Sequence, residues 1–357
     1  MKRPWLAPFT LLYAAGLALR NRRIDNGSEL VRHLRYPVVS VGNLSTGGSG
    51  KTPLTIALAN ALAGRGLRVD VLSRGYGRQS RLAVRVNPNG AAEEFGDEPL
   101  LIARETGLPV YVAPQRYDAG LLAEAEQSLA DKGSGLIGQG FSPDTMLARS
   151  AGALAPEVRI HLLDDGFQHR QLARDANILL LNRHDWFDCL LPAGNLREPT
   201  RAAHRATILA IPADDPAFAV ALKAWGWHGQ IWRLHRKMAV PSVAGPIVAF
   251  CGIARPGQFF AGLEAAGLQL AARFVFPDHH RYAAADLNRL AASAHKTGAA
   301  GLMTTKKDQV RLGQLTSALP AWLPLTTARL RIEIEDDDRA IDSLLAQLPV
   351  ASSSPPL

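Results

Sequence analysis

The chain has 357 residues, 47% of them hydrophobic and 20% charged, and a net charge of +8. That length suffices for one large or two ordinary domains, each with its own core. Cys189 and Cys251 are the only cysteines, which excludes a disulfide framework and a CxxC metal pattern and makes a reducing compartment the default.

The excess charge is concentrated at the N-terminus. Lys2, Arg3, Arg20, Arg22, Arg23, Arg32 and Arg35 face only Asp25 and Glu29 within the first 35 positions. The basic residues flank an uncharged run at 4–19, PWLAPFTLLYAAGLAL. As a helix this run reaches about 24 Å, short of a bilayer core of about 30 Å. Pro8 and Gly16 weaken it further as a span. With Trp5, Phe9 and Tyr13 between basic clusters, it suits the plane of an anionic membrane surface. A helix packed in the fold and a signal peptide are the competing readings. Arg20, Arg22 and Arg23 directly after the run, and the lack of an A-x-A site, disfavour the signal peptide.

Further along, RYPVVSVGN (35–43) reads as a buried strand and TPLTIALANALAGRG (52–66) as a helix ending at glycine. LRVDVLSRGYG gives a second strand and a loop. LPVYVAP is a third strand, followed by the helix YDAGLLAEAEQSLA, and then by VRIHLLDDG, ANILLLN and RATILAIP as further strands. Continuously apolar strands alternating with helices predict an α/β fold whose parallel sheet is covered on both faces. Residues 131–157 are a long Gly/Pro-punctuated connection, read as a flexible loop or a local insertion.

After residue 211 the pattern restarts with GPIVAFCGI, PGQFFAGLEAAG, LQLAARFVF, AAADLNRLAASAHKTG and AAGLMTT. The expected organisation is an interfacial helix at 1–24 and a P-loop core at 25–211. A smaller α/β domain follows at 212–345, which can return a C-terminal element to the core, and a disordered tail closes the chain at 346–357.

GNLSTGGSGKTP (42–53) carries the chemistry. The pattern G-x-x-x-x-G-K-[ST] fails at its first position, where Ser45 stands, but the GGxGKT core supplies the geometry. Gly47, Gly48 and Gly50, with Thr46 and Ser49 between and beside them, let backbone N–H groups share a concavity at a helix N-terminus. Lys51 can reach the β- and γ-phosphates and Thr52 can ligate Mg²⁺, so this is an ATP site. Partition-type ATPases carry a lysine immediately before the two glycines; here Thr46 stands there, which favours transfer of phosphate to another molecule.

HLLDDGFQH (161–169) ends an apolar strand in Asp164 and Asp165, the carboxylates a Walker-B element needs to hold Mg²⁺ or its water shell. Gln168 and His169 follow within a turn. FGDEP (95–99) offers Asp97 and Glu98 in a Gly/Pro-rich loop, where a carboxylate can accept a hydroxyl proton during phosphoryl transfer. FPDHHRY (276–282) can supply a histidine to orient that base. Arg74 and Tyr76 in SRGYG, and Arg197 and Glu198 in LPAGNLREP, lie in loops suited to anionic groups. Surface charge is the plainer reading of either loop alone.

In this order, VGNLSTGGSGKTP, SRGYGR, GDEP, DDGFQH, LPAGNLREP, FPDHHRY and TTKKD resemble the tetraacyldisaccharide 4′-kinases, the lipid A 4′-kinases of Gram-negative envelope biosynthesis. The resemblance runs from the N-terminal helix to about residue 310. It implies a P-loop NTPase-like fold and a second α/β domain linked by strands that let the two close on ATP. It also implies transfer of the γ-phosphate of ATP to the 4′-hydroxyl of a tetraacyl glucosamine disaccharide 1-phosphate, at the cytoplasmic face of the inner membrane.

Residue by residue, the resemblance makes Asp97 the general base and Glu98 an acid near Mg²⁺. Asp164 and Asp165 become the Walker-B pair, with Gln168 and His169 lining the nucleotide and metal site. It sets Asn43, Arg74, Tyr76, Arg116, Arg197 and Glu198 on active-site loops. His279, rather than His280, assists Asp97. Lys306 stands where the family commonly has an acid (TTEKD), which puts the adenine-side role of that loop in question.

Two other classes compete. A membrane-associated NTPase switch acting on a protein predicts nucleotide-driven dimerisation, and Thr46 and GDEP argue against it. A nucleic-acid protein needs a basic stripe interleaved with aromatics, whereas here aromatics are only 6% and the excess charge sits at an apolar N-terminus. No nucleic acid and no obligate protein partner are therefore expected.

Overall fold

The computed structural model describes residues 3–48, 50–136 and 158–349. Ser49, positions 137–157 of the long connection, and the tail from 350 on lie outside the described residues. The chain opens with α1 (Ala7–Asp25), which carries Pro8 in its first turn, where a missing N–H breaks no helical bond. Next, β1 (Val38–Asn43) is buried along its whole length and leads through the glycine-rich loop into α2 (Lys51–Gly64).

The first half continues with β2 (Arg68–Ser73), β3 (Val84–Arg85), α3 (Ala92–Phe95), α4 (Asp97–Thr106), β4 (Val110–Val112) and α5 (Arg116–Leu136). It closes with β5 (Arg159–Asp164), β6 (Ala176–Leu180), α6 (Arg183–Trp186), β7 (Ile208–Pro212), α7 (Pro216–Ala224) and β8 (Gln230–Ala239). The second half consists of β9 (Ile247–Cys251), α8 (Pro256–Ala265), β10 (Leu270–Val275), α9 (Ala284–Thr297), β11 (Gly301–Thr305), α10 (Lys306–Leu312), β12 (Leu325–Ile334) and α11 (Asp337–Leu345).

Two elements correct the sequence-based expectation. Asp97 and Glu98 are not in a loop but open the first turn of α4, because Gly96 turns the chain at φ +90° and Pro99 is tolerated within that same turn. The helix expected over 117–130 runs on to Leu136 and takes up the start of the long connection.

Among the described residues, twelve strands join in the order β10-β9-β11-β12-β8-β7-β6-β1-β5-β2-β4-β3. Strands β4, β2, β5, β1, β6, β7 and β8 are mutually parallel, and so are β10, β9, β11 and β12. The two sets meet at one antiparallel seam, β8 against β12.

The register of that seam places the cleft. Residues 230–234 of β8 pair with β7, and residues 234–239 run on past the sheet's carboxyl edge to pair with 329–334 of β12. Residues 325–328 of β12 pair with β11 before it leaves its own set in the same way. The carboxyl edges of the two parallel sets therefore face each other across a two-stranded ribbon. Ligands of open α/β sheets bind at carboxyl edges, and here two such edges share one cleft.

Each set has its own core. Leu54, Leu58 and Leu62 of α2 pack with Val39, Val41 and Ile178 on one face of the first set, and Leu179, Leu209 and Phe218 pack on the other. Helix α11 adds Ile341 and Leu344 to the α2 core, so the last described helix packs against the first half.

Candidate active site

The cleft has a volume of about 1290 Å³ and is lined by both carboxyl edges and the ribbon. Thr46, Gly47, Gly48, Gly50, Lys51 and Thr52 form its floor. Gly47 and Gly50 both take φ of +99°, a conformation that a side chain would strain. The loop opens α2, whose N-terminal dipole favours an anion there. Lys51 Nζ donates to Asn43 Oδ1 at 3.0 Å and lies 3.3 Å from Asp165 Oδ1. Asn43 and Ser45 do not line the cleft. Both are buried behind the loop, where the Asn43 carbonyl accepts from Gln168 Nε2 at 2.9 Å and Ser45 Oγ donates to Asp185 at 2.8 Å.

The two aspartates ending β5 have opposite electrostatics. Asp164 accepts from Thr55 Oγ1 at 3.1 Å. Burial, with Glu98 and Asp165 nearby, pushes its carboxyl up to about 7. Burial also opposes the charge of Asp165, but Lys51 and Arg197 outweigh it and hold that carboxyl below its usual range. Asp165 sits at φ +48°, a conformation a non-glycine residue keeps only where its surroundings hold it. One Nη1 of Arg197 bridges Asp165 at 3.1 Å and Gln168 at 3.2 Å.

Arg116 reaches the Asp165 carbonyl at 3.5 Å, and its buried Nε has no partner among the described residues. Burial lowers this guanidinium to about 10. Burial and Arg116 also bring His169 down to about 3, leaving a neutral imidazole on the cleft wall. Arg74 and Tyr76 complete this wall.

The opposite wall brings the second half to the acid pair. Asp97 Oδ2 lies 3.1 Å from His279 Nδ1 and accepts from Arg311 Nε at 2.7 Å. Lys307 Nζ donates to Glu98 Oε1 at 2.8 Å. Burial opposes the Asp97 charge, but His279, Lys307 and Arg311 outweigh it and hold the carboxyl far below its usual range. Asp97 itself is buried, with 7% of its side chain exposed, whereas His279 is 34% exposed and lines the cleft. His279 adopts φ +60° and its ring lies 5.2 Å from that of Tyr76. His280 faces elsewhere, bonded to Asp286 at 3.0 Å and stacked on Phe276.

Sequence reasoning missed Lys307 and Arg311. They stand four apart on α10, hence on one helical face, a spacing that is visible once TTKKDQVRL is read as a helix capped by Thr305. Glu198 is not brought to the cleft either. It is buried and bonds Arg205 at 2.6 Å.

Helix α1 lies against the same edge. Tyr13 donates to the Arg197 carbonyl at 2.8 Å and Arg20 to the Gln168 carbonyl at 2.9 Å. Its other face leaves Phe9, Leu11, Leu12 and Leu19 exposed, as is Trp5 in the turn just before it. No described helix is long and apolar enough to cross a membrane.

A glycine-rich loop opening a helix at a parallel sheet's carboxyl edge, with a lysine and a strand-end carboxylate meeting over it, defines the P-loop class of nucleotide-handling α/β proteins. The family model described as LpxK, tetraacyldisaccharide-1-P 4′-kinase, matches residues 2–349, and the chain belongs to that family. A tetraacyldisaccharide 4′-kinase of Koribacter versatilis (strain Ellin345) is 40% identical over 348 residues, covering 95% of this chain and 97% of that protein. One from Dechloromonas aromatica (strain RCB) is 35% identical over 348 residues, 92% of this chain and 91% of its own length. The crystal structure of an "apo" form of LpxK from Aquifex aeolicus in complex with ATP superposes with a TM-score of 0.70 at 30% identity, covering 96% of this chain and 98% of that one.

Proposed function

We propose that this chain transfers the γ-phosphate of ATP to the 4′-hydroxyl of a tetraacyl glucosamine disaccharide 1-phosphate. One observation carries the reading: a phosphate cradle on one half of the sheet shares its cleft with a base pair, Asp97–His279, that only the other half completes. The cradle's N–H groups and Lys51 bind the ATP phosphates. Arg74, Arg116 and Arg197, around neutral His169, suit the anionic sugar head of the acceptor. With His279 Nδ1 turned to Asp97, Nε2 is the nitrogen available to take the hydroxyl proton, and Asp97 orients the ring and stabilises the imidazolium. A hydrolytic switch would need a positioned water rather than a substrate base.

The donor set fits Mg²⁺. Among the described residues no three His, Cys, Asp or Glu stand as a ready metal cluster, as expected for an ion held by one or two carboxylates together with phosphates and waters. Asp164, a buried carboxylate raised by two neighbouring acids, marks a place short of positive charge. Asp164 and Asp165, with the Thr52 hydroxyl, would hold the ion, with Glu98, bonded to Lys307, reaching it through water; when bound, the ion neutralises phosphate charge during transfer. We extend the proposal to the setting as well: α1 lies in the interfacial plane of a membrane with its exposed apolar face inward, and the two halves act as domains hinged at the β8–β12 ribbon.

The test is a transfer assay with γ-labelled ATP, Mg²⁺ and a detergent-dispersed tetraacyl disaccharide 1-phosphate, run beside the Lys51→Ala variant. Label is expected in the lipid and lost in the variant. Label released only as free phosphate would overturn the acceptor assignment.

A further inference from the structure

The loop between β9 and α8 lies directly over the phosphate cradle. A Cβ added at Gly47 would stand 3.5 Å from the Ala254 side chain, and one added at Gly48 would stand 3.6 Å from it. The second half therefore comes within about a methyl group of the cradle's glycines, through the smallest chiral side chain available. The next residue is Arg255, at the N-cap of α8. Its Nη2 donates to both carboxylate oxygens of Asp185, at 2.7 and 2.8 Å, across the gap between the halves.

This contact has the character of a temporary one. Both bonds use the same nitrogen, whereas a guanidinium holds an anion best through two. The Arg255 side chain remains 25% exposed and lines both the main cleft and an adjoining cavity of about 560 Å³. Asp185 does not depend on it, since the buried carboxylate also accepts from Ser45 Oγ at 2.8 Å and Asn182 Nδ2 at 2.7 Å. If the arginine leaves, Asp185 keeps Ser45 and Asn182, with His184 Nδ1 at 3.4 Å. A triphosphate in the cradle would compete for the guanidinium with more charge and better-spaced oxygens than one carboxylate offers.

We propose that Arg255 is a nucleotide-phosphate ligand that Asp185 holds in reserve. When a nucleoside triphosphate fills the cradle, the guanidinium exchanges the Asp185 carboxylate for oxygens of the terminal phosphates and draws the second half onto the glycine-rich loop. A cation delivered there also meets the charge that spreads over the transferring phosphoryl group. The inference rests on the nucleotide reading of the cradle and adds a ligand from the far side of the cleft.

The experiment compares equilibrium binding of ATP and of ADP, each with Mg²⁺, to the full chain and to its Arg255→Ala, Arg255→Lys, Asp185→Asn and Lys51→Ala variants, with thermal melting as the folding control. The loss of a charge-assisted hydrogen bond predicts that Arg255→Ala weakens ATP roughly 10–100-fold, while ADP changes far less. Arg255→Lys should recover part of the ATP-specific loss. Asp185→Asn should bind ATP as well as the unaltered chain or more tightly, because the arginine no longer has a carboxylate to leave. An unchanged ATP-to-ADP preference in Arg255→Ala would overturn the proposal, as would parallel losses of melting temperature and of both nucleotides in Arg255→Ala and Asp185→Asn, which mark a purely structural pair. If the unaltered chain binds neither nucleotide, or Lys51→Ala binds both as well as it does, the underlying function falls and the proposal with it.

Discussion

At the scale of single residues, Asp97 shows how little a side chain's identity says about its task. Three cationic or ionisable groups hold its carboxyl far below the usual range, so alone it is a weak proton acceptor at neutral pH. The imidazole between it and the cleft resolves this, because His279 lines the cleft where a substrate hydroxyl can reach it and Asp97 does not. Asp97→Asn should therefore lower turnover by about 10²–10⁴-fold and leave ATP affinity within a few-fold. His279→Gln should do the same, and the double variant should be little worse than either, since residues acting as a unit are not additive. Steady-state kinetics beside ATP titrations check this; turnover near that of the unaltered chain in Asp97→Asn sinks the assignment.

At the scale of elements, α1 is bound on one face and unpartnered on the other. Tyr13 and Arg20 hold it to the loops carrying Arg197 and Gln168, while Leu11 and Leu12 are 76% and 71% exposed. Replacing both leucines with glutamate should greatly reduce recovery with anionic vesicles and leave the melting temperature unchanged, because neither side chain packs in the fold. Co-sedimentation that persists at the original level would move the attachment to another surface. The opposite case is Gly42 in β1, where an added Cβ would meet Phe167 Cβ at 2.5 Å and its backbone N at 2.9 Å. Gly42→Ala should cost about 1–3 kcal/mol through overpacking, read as a lower denaturant midpoint.

At the scale of the whole molecule, a buried charged group sets an alkaline limit on stability. His161 on β5 is fully enclosed, with Asp70 of β2 at 2.7 Å and Glu124 of α5 at 3.4 Å, and Arg159 of its own strand over the neighbouring Tyr36 ring. Burial opposes its charge, but the two carboxylates outweigh it and push the imidazole up to about 9, above the ordinary 6.5. A group raised in the folded state stabilises fully below its unfolded value and loses that contribution as pH rises through the folded one. Melting temperature should therefore fall by several degrees between about pH 7 and pH 9.5, and a His161→Gln variant, already less stable, should lack that slope. Parallel pH profiles for the two proteins would refute the assignment.

Much of this molecule was legible locally. The cradle at 45–52 was readable because a P-loop is one contiguous stretch, and the parallel strands because burial on both faces leaves continuous apolar runs. Strands β8 and β12 were missed because QIWRLHRKMA and LTTARLRIEI form a ribbon open to solvent and carry charges along it. The start of α4 was hidden by Gly96 and Pro99, residues that punctuate loops but also suit a helix's first turn.

What the sequence could not decide was which groups meet. Asp97 lies 182 positions from His279 and 214 from Arg311; the family resemblance alone linked the first pair, and no period or motif linked the second. Their encounter follows from the antiparallel seam, which turns the second set of strands to face the first. By itself the sequence determined a phosphate cradle, a covered parallel sheet and a basic apolar N-terminus, because each is a local pattern. The cleft, the Lys307 and Arg311 contacts to the acid pair and the Arg255–Asp185 contact beside the cradle were decided by tertiary structure alone, because side-chain convergence depends on how distant strand ends are carried past one another.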